Sequence, residues 1–311
     1  MPRKLTTDSL KAEESGLKAL LADAEKYGDI VGQIQYKQRL EEISKDIESL
    51  ENNPNPFASV ALYFSGRPVI GSRGIAAEFA SKALGNYQDL ISKTFAKSEL
   101  GAIGERGKVP LKQSTELMVT GLTHGSFGFV LDELSNQDEL HDTALKEVVS
   151  TVTELLYRVS SSNEEDFERA AEELDSRTLI TLREFFKDLD SSEATIRIVE
   201  DNTDITLDDR SIHRGRVRTE ATQIEDSLER IEGVLTGFLP EHRKFEIKIS
   251  SGETIYGTAT KEATEHFMKI VAHGNPVLGR SCRASIYIKY VKSLNREPRE
   301  IYRLIEFHQL G

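Results

Sequence analysis

Phe245-Glu246-Ile247-Lys248-Ile249-Ser250-Ser251-Gly252-Glu253-Thr254-Ile255-Tyr256-Gly257-Thr258-Ala259 decides how the C-terminal part of this chain folds. Apolar and polar residues alternate from Phe245 to Ile249, the period of a strand with one face buried. Ser250-Ser251-Gly252-Glu253 supplies turn chemistry, and Thr254 to Ala259 returns as a second strand. Upstream, Ile231 to Phe238 reads as a strand carrying Gly233 and Gly237, residues suited to a sharp bend or a close backbone approach. Pro240-Glu241-His242 turns it. Downstream, Ala263, Phe267, Ile270 and Val271 mark a helix over Lys261–His273. Alternation resumes from Cys282 to Val291 through Ala284, Ile286, Ile288 and Tyr290, and Tyr302, Leu304 and Ile305 mark a last strand.

Three strands, a helix and two strands form the element order of a small β-barrel. Over residues 228–311 the chain resembles a module of the OB-fold or SH3-like kind, on element order and glycine placement and without a diagnostic motif. That resemblance implies binding through an outward face, and OB-folds use basic and aromatic residues to hold single-stranded nucleic acid. The candidates at outward positions are Lys248, Arg283, Tyr287, Lys289 and Arg303, with Tyr256 beside them. From Leu228 onward there are thirteen Lys/Arg against ten Asp/Glu, a balance of +3. Since the whole chain carries −12, residues 1–227 carry −15. A +3 surface is thin for a competitor for phosphates, and a peptide or a neighbouring domain suits it equally well.

The N-terminal residues obey a different period. A helix capped by Asp8 is predicted over Ser9–Lys26, with Leu10, Leu17, Leu20, Leu21 and Ala24 on one stripe. Tyr27-Gly28-Asp29 interrupts it. A second helix to Leu50 spaces Tyr36, Leu40, Ile43, Ile47 and Leu50 by 4, 3, 4 and 3, a short heptad seam. The seam fits a helical hairpin packed on its own domain or a coiled-coil arm that makes the protein self-associate, with these five residues as the interface. Asn52-Asn53-Pro54-Asn55-Pro56 ends the helix.

Between these ends lie strands at Ser59–Phe64, Val69–Ile70, Thr115–Leu122 and Phe127–Leu131, and a helix over Gly74–Lys97 with Ile75, Phe79, Ala83, Tyr87, Leu90, Ile91 and Phe95 on one face. Helical stripes follow at Leu140, Ala144, Val148, Val152, Leu155 and Val159, at Phe167, Ala170 and Leu174, and at Leu179, Leu182, Phe185, Phe186 and Leu189. A hairpin of Ala194–Val199 and Ile205–Leu207 closes the region. Residues 208–227 carry four arginines and too few apolar residues to define a buried face, so they read as a polar helical connector. The fold class is α+β: a helical hairpin or coiled coil over 1–55, an α+β domain over 56–207, the connector, and a small β-barrel of OB-like element order over 228–311.

Chemistry is harder to find. There is no P-loop, dinucleotide fingerprint, HExxH or CxxC. Gly66, Gly71 and Gly74 fit no phosphate-loop spacing and read as a plain strand–turn–helix connection. His124-Gly125-Ser126 is the most enzyme-like string, but the residues after it read as strand, whereas a nucleophile elbow leads into a helix. Glu164, Glu165, Asp166, Glu172, Glu173 and Asp175 form an acidic run that reads as a solvated helix face. The lone Cys282 excludes an intrachain disulfide, and the polar start and the lack of a long apolar run predict a cytoplasmic protein without a membrane partner. The expectation is a non-enzymatic, oligomeric binding or scaffold protein whose barrel engages a protein partner, with no cofactor and no metal. The alternatives are single-stranded nucleic-acid binding through the barrel and a hydrolase around His124 and Ser126.

Overall fold

The computed structural model describes residues 1–310 apart from 54, 101–106, 124–126, 136–140, 275 and 294–296. The fold is α+β, and the chain divides into two compact units. One comprises Met1–Asn163 with Thr181–Arg216, the other Glu164–Ile180 with Val217–Gly311.

The first unit begins with α1 (Arg3–Tyr27) and α2 (Ile30–Asn52). The chain reverses at Gly28, whose positive φ of 70° is the left-handed conformation that glycine adopts without a Cβ clash. Asp29 then caps α2 by accepting from the Gly32 amide at 3.0 Å. The first helix starts at Arg3 rather than Ser9, so Asp8 is an interior residue and takes Lys4 Nζ at 3.0 Å instead of capping. The heptad seam faces α1 of the same chain. Ile43 is fully buried there, Tyr36, Leu40, Ile47 and Leu50 are half-buried, and Arg39 Nε reaches across to Glu13 at 2.8 Å. The two helices are an intramolecular hairpin.

Next come β1 (Ser59–Gly66), the short β2 (Val69–Ile70) and β3 (Gly74–Ile75), α3 (Ala77–Leu100), β4 (Met118–Thr123), β5 (Phe127–Asp132) and α4 (Ala144–Ser160). After them run α5 (Glu164–Glu173), α6 (Ser176–Ser191), β6 (Ala194–Glu200), β7 (Thr203–Leu207) and α7 (Asp209–Ala221). An antiparallel sheet in the order β4-β5-β1-β6-β7 puts β1 at its centre, where Ser59 to Phe64 are all buried. Phe64 meets Phe79 of α3 edge-on at 5.4 Å, while Ala61, Tyr63, Val130 and Val199 pack with Leu5 of α1. The stripes Phe79, Ala83, Tyr87, Leu90, Ile91 and Val148, Val152, Leu155, Val159 are buried as their spacing requires; Leu140 lies outside the described residues. The polar α7 is anchored by means other than an apolar stripe. Ile212 is buried, and a Cβ on Gly215 would stand 2.5 Å from the Phe186 ring, a packing distance only glycine permits. Arg216 reaches Asp190 at 2.9 Å, and Arg214 donates to the Ser160 carbonyl at 2.8 Å.

The second unit holds β8 (Gln223–Leu239), β9 (Lys244–Ile249), β10 (Thr254–Ala259), α8 (Lys261–Ala272), β11 (Ser281–Lys292) and β12 (Arg299–Gln309). The strands close in a ring, β10-β12-β11-β8-β9, antiparallel throughout except for the parallel pair β10·β12. That closing pair needs Gly257, because a Cβ there would lie 2.0 Å from the Tyr302 carbonyl oxygen. Leu235, Phe245, Ile247, Ile286, Leu304 and Phe307 fill the interior, and Phe267 of α8 stacks on Phe238 at 4.2 Å. Cys282 belongs to this core, and burial pushes its thiol pKa up. The long β8 starts at Gln223, inside the stretch that reads as connector. Residues Glu164–Ile180 group with the barrel rather than with the sheet beside them in sequence.

Candidate functional site

The outer surface of the barrel is where the sequence places its binding candidates. Period-two alternation, with Cys282, Ala284, Ile286 and Ile288 facing the core, turns Tyr287 outward on β11, and a bulge that leaves Ile305 of β12 unpaired shifts the register beside Ser285/Ile286. Register then carries the surface round the barrel: Leu228 opposes Tyr287, Tyr287 opposes Arg303, Arg303 opposes Thr258, and Thr258 opposes Lys244. Tyr256 lies two residues before Thr258 on the same face of β10 and is 75% exposed. Lys248 is exposed one step further along β9, opposite Thr254. Four predicted residues, Lys248, Tyr256, Tyr287 and Arg303, therefore share one surface across β9, β10, β12 and β11. Neither Lys248 nor Arg303 has an ion-pair partner among the described residues, so both charges are available there.

The other two candidates are engaged elsewhere. Arg283 gives Nε and Nη2 to Glu232 Oε1 at 2.9 and 2.6 Å, an exposed pair on the neighbouring strand. Lys289 is only 8% exposed, and its ammonium donates to the Glu172 carbonyl of α5.

Helix α5, which takes Lys289, is itself tied into this unit. Glu168 is buried and accepts from Ser293 Oγ and Arg299 Nη2, both at 2.9 Å, while Arg299 Nη1 reaches Glu172 at 2.9 Å. Arg218 pairs with Glu164 at 2.6 Å and lays its guanidinium 4.8 Å from the Phe167 ring centre. Asp175, also buried, caps α6 by accepting from the Thr178 amide at 2.8 Å. The acidic run is thus only partly a solvated face, since Glu164, Glu172 and Asp175 all bind groups of their own unit. Sequence reasoning missed Glu168, Arg218 and Arg299 because the partners lie 54 to 131 residues apart. The usable signal was charge balance. With α5 included, the unit has sixteen Lys/Arg against twenty Asp/Glu, a net −4 in place of the barrel's +3.

Elsewhere the candidates supply structure. Arg67 beside Gly66 bonds Glu193 through its amide at 3.1 Å and its guanidinium at 3.2 Å, and the glycine-containing stretch forms the β2–β3 ribbon. His124 and Ser126 lie outside the described residues. Among the described residues no group of three or more His, Cys, Asp or Glu could hold a metal, and no helix is long and apolar enough to cross a membrane. A cavity of about 90 Å³ sits at the foot of the helical hairpin, lined by Arg3, Leu50, Asn55, Lys146, Glu200 and Asp201 among others.

No family model and no curated protein matches this chain. The geometry of the barrel surface carries the functional reading alone. Two tyrosines and two cations interspersed with Glu246 and Glu306 make a surface of mixed sign, suited to aromatic and hydrogen-bonded contact.

Proposed function

We propose that this chain is a non-enzymatic, self-associating binding protein whose C-terminal barrel engages a protein partner through Lys248, Tyr256, Tyr287 and Arg303. The observation that carries the reading is the registered Tyr–Arg–Tyr surface on a barrel of OB-like order, with Tyr256 and Arg303 exposed and Tyr287 half-buried between the strands. In OB-folds the second and third strands carry the ligand, and β9 and β10 hold those places with Lys248 and Tyr256. Tyrosine and arginine dominate the energetics of protein interfaces, because each offers a large contact area together with directional hydrogen bonds. The net −4 of the unit favours a protein over a polyanion, since binding phosphates relies on a surplus of cations that α5 cancels here.

The test compares full-length protein with the Tyr256→Ala/Arg303→Ala variant in quantitative co-purification, alongside titration of a mixed-sequence single-stranded oligonucleotide at low and moderate salt. The expected result is a set of proteins retained by the parent and depleted at least about tenfold by the variant, with no oligonucleotide binding, the loss of two hot-spot contacts being worth that factor. An unchanged retained set sinks the assignment of this surface. Tight, salt-sensitive oligonucleotide binding that the variant loses moves the function to nucleic acid.

A further inference from the structure

The tip of the helical hairpin carries an apolar surface that the fold does not use. Tyr27, Ile30, Val31 and Ile34 fall within eight residues and are between 62% and 77% exposed. Single exposed apolar residues are ordinary, but four together at one end of a hairpin form a patch. Their placement on α2 is specific. At about 100° per residue, Ile30, Val31 and Ile34 lie on the side opposite the seam of Tyr36, Leu40, Ile43, Ile47 and Leu50 that packs on α1. The remainder of that outer side, Gln38, Glu41, Lys45 and Glu48, is polar, so the patch is confined to the tip. The hairpin is also thin: Ala24 and Ile43 are the buried hydrophobic side chains of its two helices. Helical layers of this kind complete themselves by packing on a second layer.

We infer that the tip is a self-association surface, in which α2 of one copy packs antiparallel against α2 of a second copy about a two-fold axis near Ile34. The inference deepens the self-association in the reading above and moves it from the heptad seam to the opposite face of α2. Charge complementarity selects a second copy as the occupant. In an isologous pair a residue n places after Ile34 faces the residue n places before it on the partner copy. Gln38 then lies over Ile30, and the aliphatic stem of Lys37 over Val31. Glu41 reaches the far tip, where Lys26 and Tyr27 end α1; the N-terminus of α2 there is already capped by Asp29, so Lys26 is the cation that meets it. Neither Lys26 nor Glu41 has an ion-pair partner among the described residues; Lys26 lies only over the ring of its neighbour Tyr27, at 5.2 Å. The two-fold makes the Lys26–Glu41 pairing twice. So short a stripe makes a small interface, which places the dimer at the weak end of specific associations.

The experiment is a concentration series of the full chain by light scattering and sedimentation velocity, run on four proteins. The parent is expected to move from monomer to dimer as concentration rises, and Ile30→Glu/Ile34→Glu to stay monomeric with an unchanged helical circular-dichroism signal. Glu41→Lys is expected to weaken the dimer about tenfold by creating two like-charge contacts. Adding Lys26→Glu to it should restore the parent's affinity, which a variant that merely misfolds cannot do. A dimer that survives Ile30→Glu/Ile34→Glu overturns this surface and leaves self-association standing elsewhere. A parent that remains monomeric at every concentration overturns both, while the barrel's partner binding is read separately by co-purification.

Discussion

The barrel and the helical hairpin solve the burial problem in opposite ways. Five strands closed in a ring leave no edge to pair, and the interior from Leu235 to Phe307 is enclosed on all sides with α8 over one end. The hairpin stays open: beyond the first turns of α1, which sit on the sheet through Leu5, each helix offers one stripe to the other and leaves the rest of its circumference to solvent. Closure therefore dictates which residues are available for recognition. On the barrel they are every second position, which is why Tyr256, Tyr287 and Arg303 share a surface. On the hairpin they are whole faces, so Ile30, Val31 and Ile34 can gather on the side that α1 never touches.

The first way to break this comparison is to hollow each element. Phe307 is fully buried in the barrel, and Phe307→Ala should cost about 3–5 kcal/mol, because a closed ring cannot collapse onto the cavity. Amide exchange should quicken together across β8, β11 and β12. Ile43 is equally buried, yet Ile43→Ala should cost only about 2 kcal/mol, the low end for such a truncation, since two helices joined by one turn can shift toward each other. Exchange should quicken in α1 and α2 and stay slow in β1. Equal costs, or a sheet that opens with the hairpin, would show that the hairpin belongs to the first unit's core and that the contrast is false.

The same contrast governs what the sequence discloses. Period two made the barrel strands legible from Phe245 to Val291, and the spacing of Phe79, Ala83, Tyr87 and Leu90 exposed α3 because those residues form an apolar stripe. The packing of α5 and α7 was opaque for a physical reason. Their contacts run through Glu168, Arg218, Arg299 and a glycine at 215, and ion pairs and close approaches have no period. The Asp8 cap failed because α1 continues past it to Arg3, held by the Lys4 amide on the Asp201 carbonyl, a contact between residues 197 positions apart. The surface candidates were half legible. Alternation identifies outward positions, but nothing local says that α5 will take Lys289 or that Glu232 will take Arg283.

The smallest predicted effect sharpens the comparison at the point where the hairpin stands on its sheet. Glu200 ends β6 beside the cavity at the hairpin's foot and is 4% exposed. Burial, reinforced by the neighbouring Asp201, pushes its carboxyl up to about 7, with Asp142 adding to the rise and Lys146 and Ser150 opposing it. Arg3 lines the same cavity from α1. A carboxyl raised in the folded state keeps its proton there at pH values where the unfolded chain has released it. Its contribution to stability is therefore full below the ordinary carboxylate value of 4.5, declines as pH rises to about 7, and is constant above that. Keeping the charged form buried at pH 8 costs up to about 3 kcal/mol. Glu200→Gln removes that cost while preserving shape, so its stability relative to the parent should rise between pH 5 and pH 8 and then level. The readout is thermal unfolding at matched ionic strength, with amide exchange locating the gain in α1 and β6 and leaving β11 unchanged. A gain of the same size at pH 5 would mean that Glu200 is charged throughout the range and that the seat of the hairpin is wetter than its burial implies. A gain that extends to β11 would join the two regions in a single cooperative unit and remove the contrast between them.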